Sequence, residues 1–415
     1  MSKILPRVLG ALLGLWLARA GAAELRLPPI NGELEGVLTK FPLPGAPELH
    51  WRIVAQPASD GLSDYVMTLD APATRLRATA HMAANGDGTW QIEESRVEAG
   101  PWLAVLAPPF APSLTGLVAE GIVTITGGGN LKQGRPDGKI KVELANGVLR
   151  DAAQGWALEG IAFQGEFSFD ADGPHWASVT PLQLTVRTIS TARFGARNLS
   201  ISATLDDRKI LSLLSARIEV AGGEITVDPC TLPLVPPVVS VKLHLSRIGL
   251  QDIVALVPTS LSYARGRIDG EIQIDWSKAA GLQLGAGQLA LRSDEPTIVR
   301  LTPSPGLLSA SMPERFAFLP AWTGPLARWF SPLNPAYTDL QAIELGQTDL
   351  RAESLSVRLT PEGDSRGRSA RVEMVARPEH PGTSVAKVTF DIDVAGPLSE
   401  LLQLGTGEGT TLTFH

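Results

Sequence analysis

The side chains best suited to chemistry in this chain do not converge on a recognisable centre. Six histidines, His50, His81, His175, His244, His380 and His415, are scattered without the short spacing that metal ligation needs. His244 falls on the polar side of an alternating run, and His380 sits between Glu379 and Pro381 in loop-like sequence. Glu93-Glu94 and Asp206-Asp207 are acidic neighbours, not an acid–base pair brought in from separate segments. Gly127-Gly128-Gly129-Asn130 is glycine-rich, but neither a phosphate-binding lysine nor a helical pattern follows; it reads as a hairpin turn. No G-x-S-x-G elbow, P-loop or H-E-x-x-H occurs. The expectation is a protein with no catalytic residues, no metal and no cofactor. An all-β hydrolase with two carboxylates joined by folding stays as a competing reading. The single cysteine, Cys230, cannot close an internal disulfide and reads as a small buried apolar residue.

Those residues lie on a chain whose dominant signal is period-two alternation. From Tyr263 to Trp276 the even positions carry Ala264, Gly266, Ile268, Gly270, Ile272, Ile274 and Trp276. The odd ones carry Tyr263, Arg265, Arg267, Asp269, Glu271, Gln273 and Asp275. Successive strand side chains point to opposite faces, so this is one strand with an apolar and a charged face. Ala386–Val394 and Lys139–Leu144 repeat the design. Weaker versions lie at Gly121–Gly127, Ile161–Phe169, Leu182–Thr188, Arg217–Val227, Val239–Leu245, Leu284–Leu291, Leu355–Leu359 and Arg371–Ala376. Turn chemistry separates many of them, at Asn85-Gly86-Asp87-Gly88, Asn146-Gly147, Asp170-Ala171-Asp172-Gly173, Gly222-Gly223 and Glu362-Gly363-Asp364. The pattern predicts about 20 strands in hairpin-like succession. Glycines such as Gly121, Gly160, Gly165 and Gly266 mark bulges or bends in a curving sheet. Short helices are expected at Leu250–Val257 and Pro397–Leu404. A cap is expected over residues 303–335, where Phe316, Phe318, Leu319, Trp322, Leu326, Trp329 and Phe330 gather.

Residues 1–23 have the layout of a secretory signal peptide: Lys3 and Arg7, then apolar Val8 to Leu17, then Ala18-Arg19-Ala20 and Gly21-Ala22-Ala23 as cleavage signals. Export to the periplasm, or to the periplasmic face of a membrane, follows. The net charge of −7 argues against nucleic acid, which needs clustered Lys and Arg. Periodicity alone does not separate a closed sandwich, acting as a non-catalytic structural or adhesion module of the envelope, from an open groove.

From about Pro236 onward the chain resembles the C-terminal part of the YdbH family, relatives of the AsmA and TamB envelope proteins. Three segments carry the resemblance. The first runs from Leu243 through Ser246-Arg247-Ile248-Gly249 to Ile253 and on through Tyr263-Ala264-Arg265-Gly266-Arg267-Ile268-Asp269-Gly270-Glu271-Ile272. The second is Gly285-Ala286-Gly287-Gln288-Leu289-Ala290-Leu291-Arg292-Ser293. The third begins at Tyr337-Thr338-Asp339-Leu340, continues through strands over 350–360, 368–377 and 384–395, and closes on Pro397-Leu398-Ser399-Glu400-Leu401-Leu402.

The resemblance implies an elongated, twisted antiparallel β-groove that carries phospholipid, with inner- or outer-membrane proteins as partners and a role in lipid transport or outer-membrane assembly. With strands about 4.8 Å apart, roughly 20 of them in one sheet would make a trough on the order of 90 Å long. Residues 24–235 would form an N-terminal groove region and 236–415 a C-terminal one. The candidate lining is Ile268, Ile272, Ile274, Trp276, Val372, Met374, Val388, Phe390, Ile392 and Val394.

Overall fold

The computed structural model describes residues 31–38, 48–58, 61–106, 117–152, 155–170, 173–191, 195–234, 238–254, 261–277, 281–316, 331–360, 368–380, 382–395 and 411–414. Residues 1–30, the helix expected at Pro397–Leu404 and the turn expected at Glu362-Gly363-Asp364 lie outside them. Among the described residues there are 23 strands, all of whose registered pairings are antiparallel, and three short helices. The chain is all-β. It divides into two units, residues 1–218 with 228–238, and residues 219–227 with 239–415.

In the first unit the strands follow one another as hairpins. They are β1 (Gly32–Leu38), β2 (Leu49–Pro57), β3 (Ser63–Ala71), β4 (Thr74–Met82), β5 (Gly88–Glu98), β6 (Leu117–Lys132), β7 (Arg135–Asp151) and β8 (Trp156–Asp170). β8 pairs with both β9 (Gly173–Ser178) and β10 (Leu182–Ser190), and β10 with β11 (Gly195–Leu205). β12 (Ile210–Val220) pairs with β14 (Cys230–Pro233). Helix α1 (Ala99–Leu106) follows β5 and sets Trp102 into the core, where its indole N–H donates to Thr74 Oγ1 at 2.7 Å. That core gathers Leu49, Leu69, Leu76, Ile92, Ile125 and Ile140 from six successive strands.

Two expected turns are instead strand interior. Gly127-Gly128-Gly129-Asn130 lies within β6, opposite Ile140, Lys139, Gly138 and Asp137 of β7; the chain turns at Gln133-Gly134. The glycines serve close approach: a β-carbon on Gly129 would collide with the backbone of Asp137 and Gly138. The opposite edge of the triplet faces Trp90, whose indole N–H reaches the Asp137 carbonyl at 3.0 Å. Asn146-Gly147 likewise sits inside β7, where Asn146 takes φ 55. The preference that makes Asn-Gly a turn, tolerance of the left-handed region, is used here for a bulge.

That bulge belongs to a line. Neighbouring strands carry left-handed residues at adjacent register positions, Gly121 in β6 (φ 137), Asn146 in β7, Gly160 in β8 (φ 66) and Asn198 in β11 (φ 54). Relative to β6, β7 carries one extra residue here, and β8, β10 and β11 stay in step with it, so the alternation shifts by one and both halves of each strand keep apolar side chains on the same face. In β7 these are Ile140, Val142 and Leu144 before the bulge and Leu149 after it. Arg187 of β10 crosses the polar face of Gly160 and donates to Asn146 Oδ1 at 3.2 Å, bridging the line over three strands. In β5 the Ser95 hydroxyl accepts from the Ile125 N–H and donates to the Ile125 carbonyl, filling the ladder where the register shifts.

The second unit holds β13 (Gly223–Val227), β15 (Val238–Gly249), β16 (Leu261–Arg265), β17 (Arg267–Ser277), β18 (Gly281–Leu291), β19 (Thr297–Leu301), β20 (Leu350–Leu359), β21 (Arg368–Pro378), β22 (Val388–Ala395) and β23 (Thr411–Phe414). It also holds helices α2 (Leu250–Val254) and α3 (Pro335–Glu344). The run Tyr263–Trp276 is two strands, β16 on β19 and β17 on β18, broken at Gly266 with φ 135. Only glycine fits there, because a β-carbon would press on the Thr297 side chain. The buried core is Ile268, Val299, Ile343, Leu350, Met374 and Phe390 with their neighbours.

Part of the expected cap falls within the described residues. Residues 305–312 form turns, and Arg315 and Leu333 are bridged; the aromatic stretch between them lies outside the described residues. α3 begins at Asn334, whose Oδ1 accepts from the Ala336 N–H, with Pro335 in the first turn. At its other end Glu344 is 1% exposed. Burial pushes its carboxyl up, but N–H groups of Gly306, Leu308 and Ser309 and the Ser309 hydroxyl outweigh this and hold it at about 2. A depressed carboxyl stabilises above its unfolded value of 4.5, and that stability is lost as pH falls towards about 2. Glu344→Gln is therefore expected to lower stability at neutral pH by on the order of 3 kcal/mol. Thermal unfolding followed from neutral pH down to pH about 2 should show the wild-type advantage shrinking in that window. A gap independent of pH would contradict it.

Candidate apolar strips on the sheet faces

Register places apolar side chains in rows that run across the strands. In the first unit Val123 faces Leu144, Leu144 faces Phe163, Phe163 faces Leu184, and Leu184 faces Ile201. All five are half-buried, and none belongs to the sealed core. Five strands about 4.8 Å apart make this row about 19 Å long. On the other side of the bulge line Leu149, Leu158, Ile189 and Ala196 form a second row. The opposite face is mainly polar, with Val118 and Ile122 of β6 exposed on it. Gln164 faces Gln183, which donates to Ser202 at 2.9 Å, and Lys139 pairs with Glu166 at 3.6 Å.

In the second unit three rows lie side by side. The innermost contains Ile268 opposite Leu291, and Leu355, Met374 and Phe390 in succession; Ile268, Met374 and Phe390 are 2%, 5% and 4% exposed. The middle row is Leu289, Val357, Val372 and Ile392. The outer row is Ile272, Gly287, Leu359 and Ala370. Leu289, Val357, Val372, Ile392, Ile272 and Leu359 are half-buried. The reverse face carries ion pairs such as Arg371–Asp391 at 2.6 Å and Arg292–Asp269 at 2.9 Å.

The ten residues singled out from alternation thus fall in different settings. Ile268, Met374, Val388 and Phe390 are core. Ile272, Ile274, Val372 and Ile392 are half-buried, Trp276 is 36% exposed, and the Val394 side chain lies outside the described residues. The first-unit rows were not singled out, although the strands that carry Leu144, Phe163 and Leu184 were. Their signal was the same alternation.

The chemistry-bearing residues remain apart. Glu93 pairs with Arg77 at 2.9 Å, and Asp206 accepts from the Ile210 N–H at 2.7 Å in the β11–β12 turn. His244 approaches Glu271 at 3.2 Å. Cys230 is half-buried opposite Leu213, and burial, with a contribution from Asp228, pushes its thiol up, away from nucleophilic use. No group of acids, histidines and cysteine fit to hold a metal occurs among the described residues. No helix among them is long and apolar enough to cross a membrane.

Compared with known proteins, residues 14–319 match the YdbH-like family model, described as intermembrane phospholipid transport protein YdbH. The match takes in most of the N-terminal half as well as the first two segments that carried the resemblance, and it ends before the third. No curated protein and no solved structure matches. With about three-quarters of its length matched, the chain belongs to the YdbH-like family of intermembrane phospholipid transport proteins.

Proposed function

We propose that this protein moves phospholipid through a bacterial cell envelope, with acyl chains lying on the half-buried apolar rows and headgroups left in water. One observation carries the reading: in-register rows of Leu, Ile, Val and Phe stay partly open on one sheet face, in a chain of a phospholipid-transport family. An acyl chain on such a surface gains about 0.8 kcal/mol per buried methylene, so ten methylenes contribute on the order of 8 kcal/mol before ordering costs. The contact has no preferred direction, so a chain slides from strand to strand without breaking a hydrogen bond.

The lining comprises Ile272, Ile274, Val372 and Ile392, with Leu144, Phe163, Leu184 and Ile201 in the first unit. Residues 24–235 and 236–415 act as two groove regions behind a leader of residues 1–23. The protein works in the periplasm, passes lipid to or from membrane proteins at its ends, and catalyses no reaction. Native mass spectrometry of the protein purified from a bacterial envelope tests this. Phospholipid adducts are the expected result, and a lipid-free mass under conditions that preserve the fold would refute it.

A further inference from the structure

We infer that the innermost row of the second unit is a floor that limits how deep a phospholipid tail enters. The inference rests on the phospholipid reading above and adds a selection by chain length. Its basis is the gradient of burial along the strand direction. Along β17 the outer Ile272 is half-buried and Ile268 of the innermost row is 2% exposed. Along β22 the step from half-buried Ile392 reaches Phe390 at 4%, beside Met374 at 5%; Leu291 and Leu355, between them in the innermost row, are half-buried. Adjacent rows are two residues apart, about 7 Å, so two open rows offer a depth of about 14 Å. That is close to the roughly 15 Å that the chains of one leaflet occupy in a hydrocarbon core of about 30 Å.

The cover over the floor is fastened. Ile343 of α3 belongs to the same core as Met374 and Phe390, and Leu307 and Leu308 of the preceding turn pack against it. Glu344 ties that turn to α3 through three backbone N–H groups and the Ser309 hydroxyl, at 2.7–3.0 Å. Asp339 ties α3 to Ser384 through its N–H and hydroxyl, both at 2.6 Å. Charge-assisted bonds of this kind are not displaced by a sliding methyl end. A tail over β17, β21 or β22 therefore stops at Ile268, Met374 or Phe390. A longer tail leaves methylenes in water.

The test presents the full-length protein with phosphatidylethanolamine vesicles carrying lauroyl, myristoyl, palmitoyl, stearoyl or arachidoyl tails, and reads bound lipid by native mass spectrometry. Because each methylene leaves bilayer hydrocarbon, wild-type occupancy should stay level while the tail fits and fall about tenfold for each pair of methylenes left in water beyond the floor. Phe390→Ala, which deepens the floor, should move that fall to longer tails. Ile392→Phe, at the half-buried border, should move it to shorter ones, and it decides the matter if Phe390→Ala does not fold. Lipid binding with the same profile in wild type and Ile392→Phe overturns the floor and leaves the phospholipid reading standing. No binding of any lipid to wild type overturns both.

Discussion

Deleting Asn146 is expected to destabilise the first unit by about 1–3 kcal/mol, whereas Asn146→Gly should change stability by no more than about 0.5 kcal/mol. Side-chain direction in a strand has period two, so removing one residue sends everything on one side of it to the other face. In β7 either Ile140, Val142 and Leu144 or Leu149 must then turn outward. Ile140 is fully buried in the core built from β2 to β7. The half after the bulge therefore yields, and turning the half-buried Leu149 into water costs about 1–3 kcal/mol, a sizeable share of the whole stability of roughly 5–15 kcal/mol. Glycine keeps the extra residue and accepts the left-handed φ; only the bond from Arg187 is lost. Circular dichroism and thermal melting of the two variants check this. A deletion variant as stable as wild type would mean that the bulge line does not hold the alternation in phase.

Changing Ile272 and Ile274 together to aspartate is expected to lower phospholipid occupancy at least about tenfold while leaving the sheet folded. Both are half-buried and outside the sealed core, so the carboxylates remain hydrated when no lipid is present. An acyl chain over them would strip that water without replacing its hydrogen bonds, which costs several kcal/mol and cancels the gain from several methylenes. Matched melting curves and native mass spectra of wild type and variant give the result. Unchanged lipid content would remove these residues from the path, and a collapsed melting curve would show them to be core.

The reach of the sequence follows from the same geometry. Alternation showed the apolar and polar faces of β17, β21 and β22, and the glycines at 121, 160 and 266 were legible as bends. The legible runs stop where the phase shifts. Lys139–Leu144 ends one residue before the Ala145-Asn146 bulge, and Ile161–Phe169 starts directly after Gly160. Strands of 16 and 17 residues in β6 and β7 were therefore seen only in fragments.

The first strands escaped for another reason. Their inward positions include Ala78 and Ala80, and their outward ones Val54 and Val66, so the contrast between faces is weak. Helix α3 had a readable signal in Asn334-Pro335, a capping residue before a proline. Which apolar residues stay half-open was not legible, since burial depends on what Leu307, Leu308 and Ile343 cover, and those contacts are long-range.

The central claim is that one face of these sheets meets lipid and the other does not. Photocrosslinking residues placed singly at Phe163, Leu184 and Val372, and as controls at Gln164 and Glu373 on the opposite face, test it in the full-length protein within the envelope. Phospholipid adducts at the first three positions and none at the controls are the predicted result. Adducts of equal yield on both faces, or on the polar face alone, would contradict it.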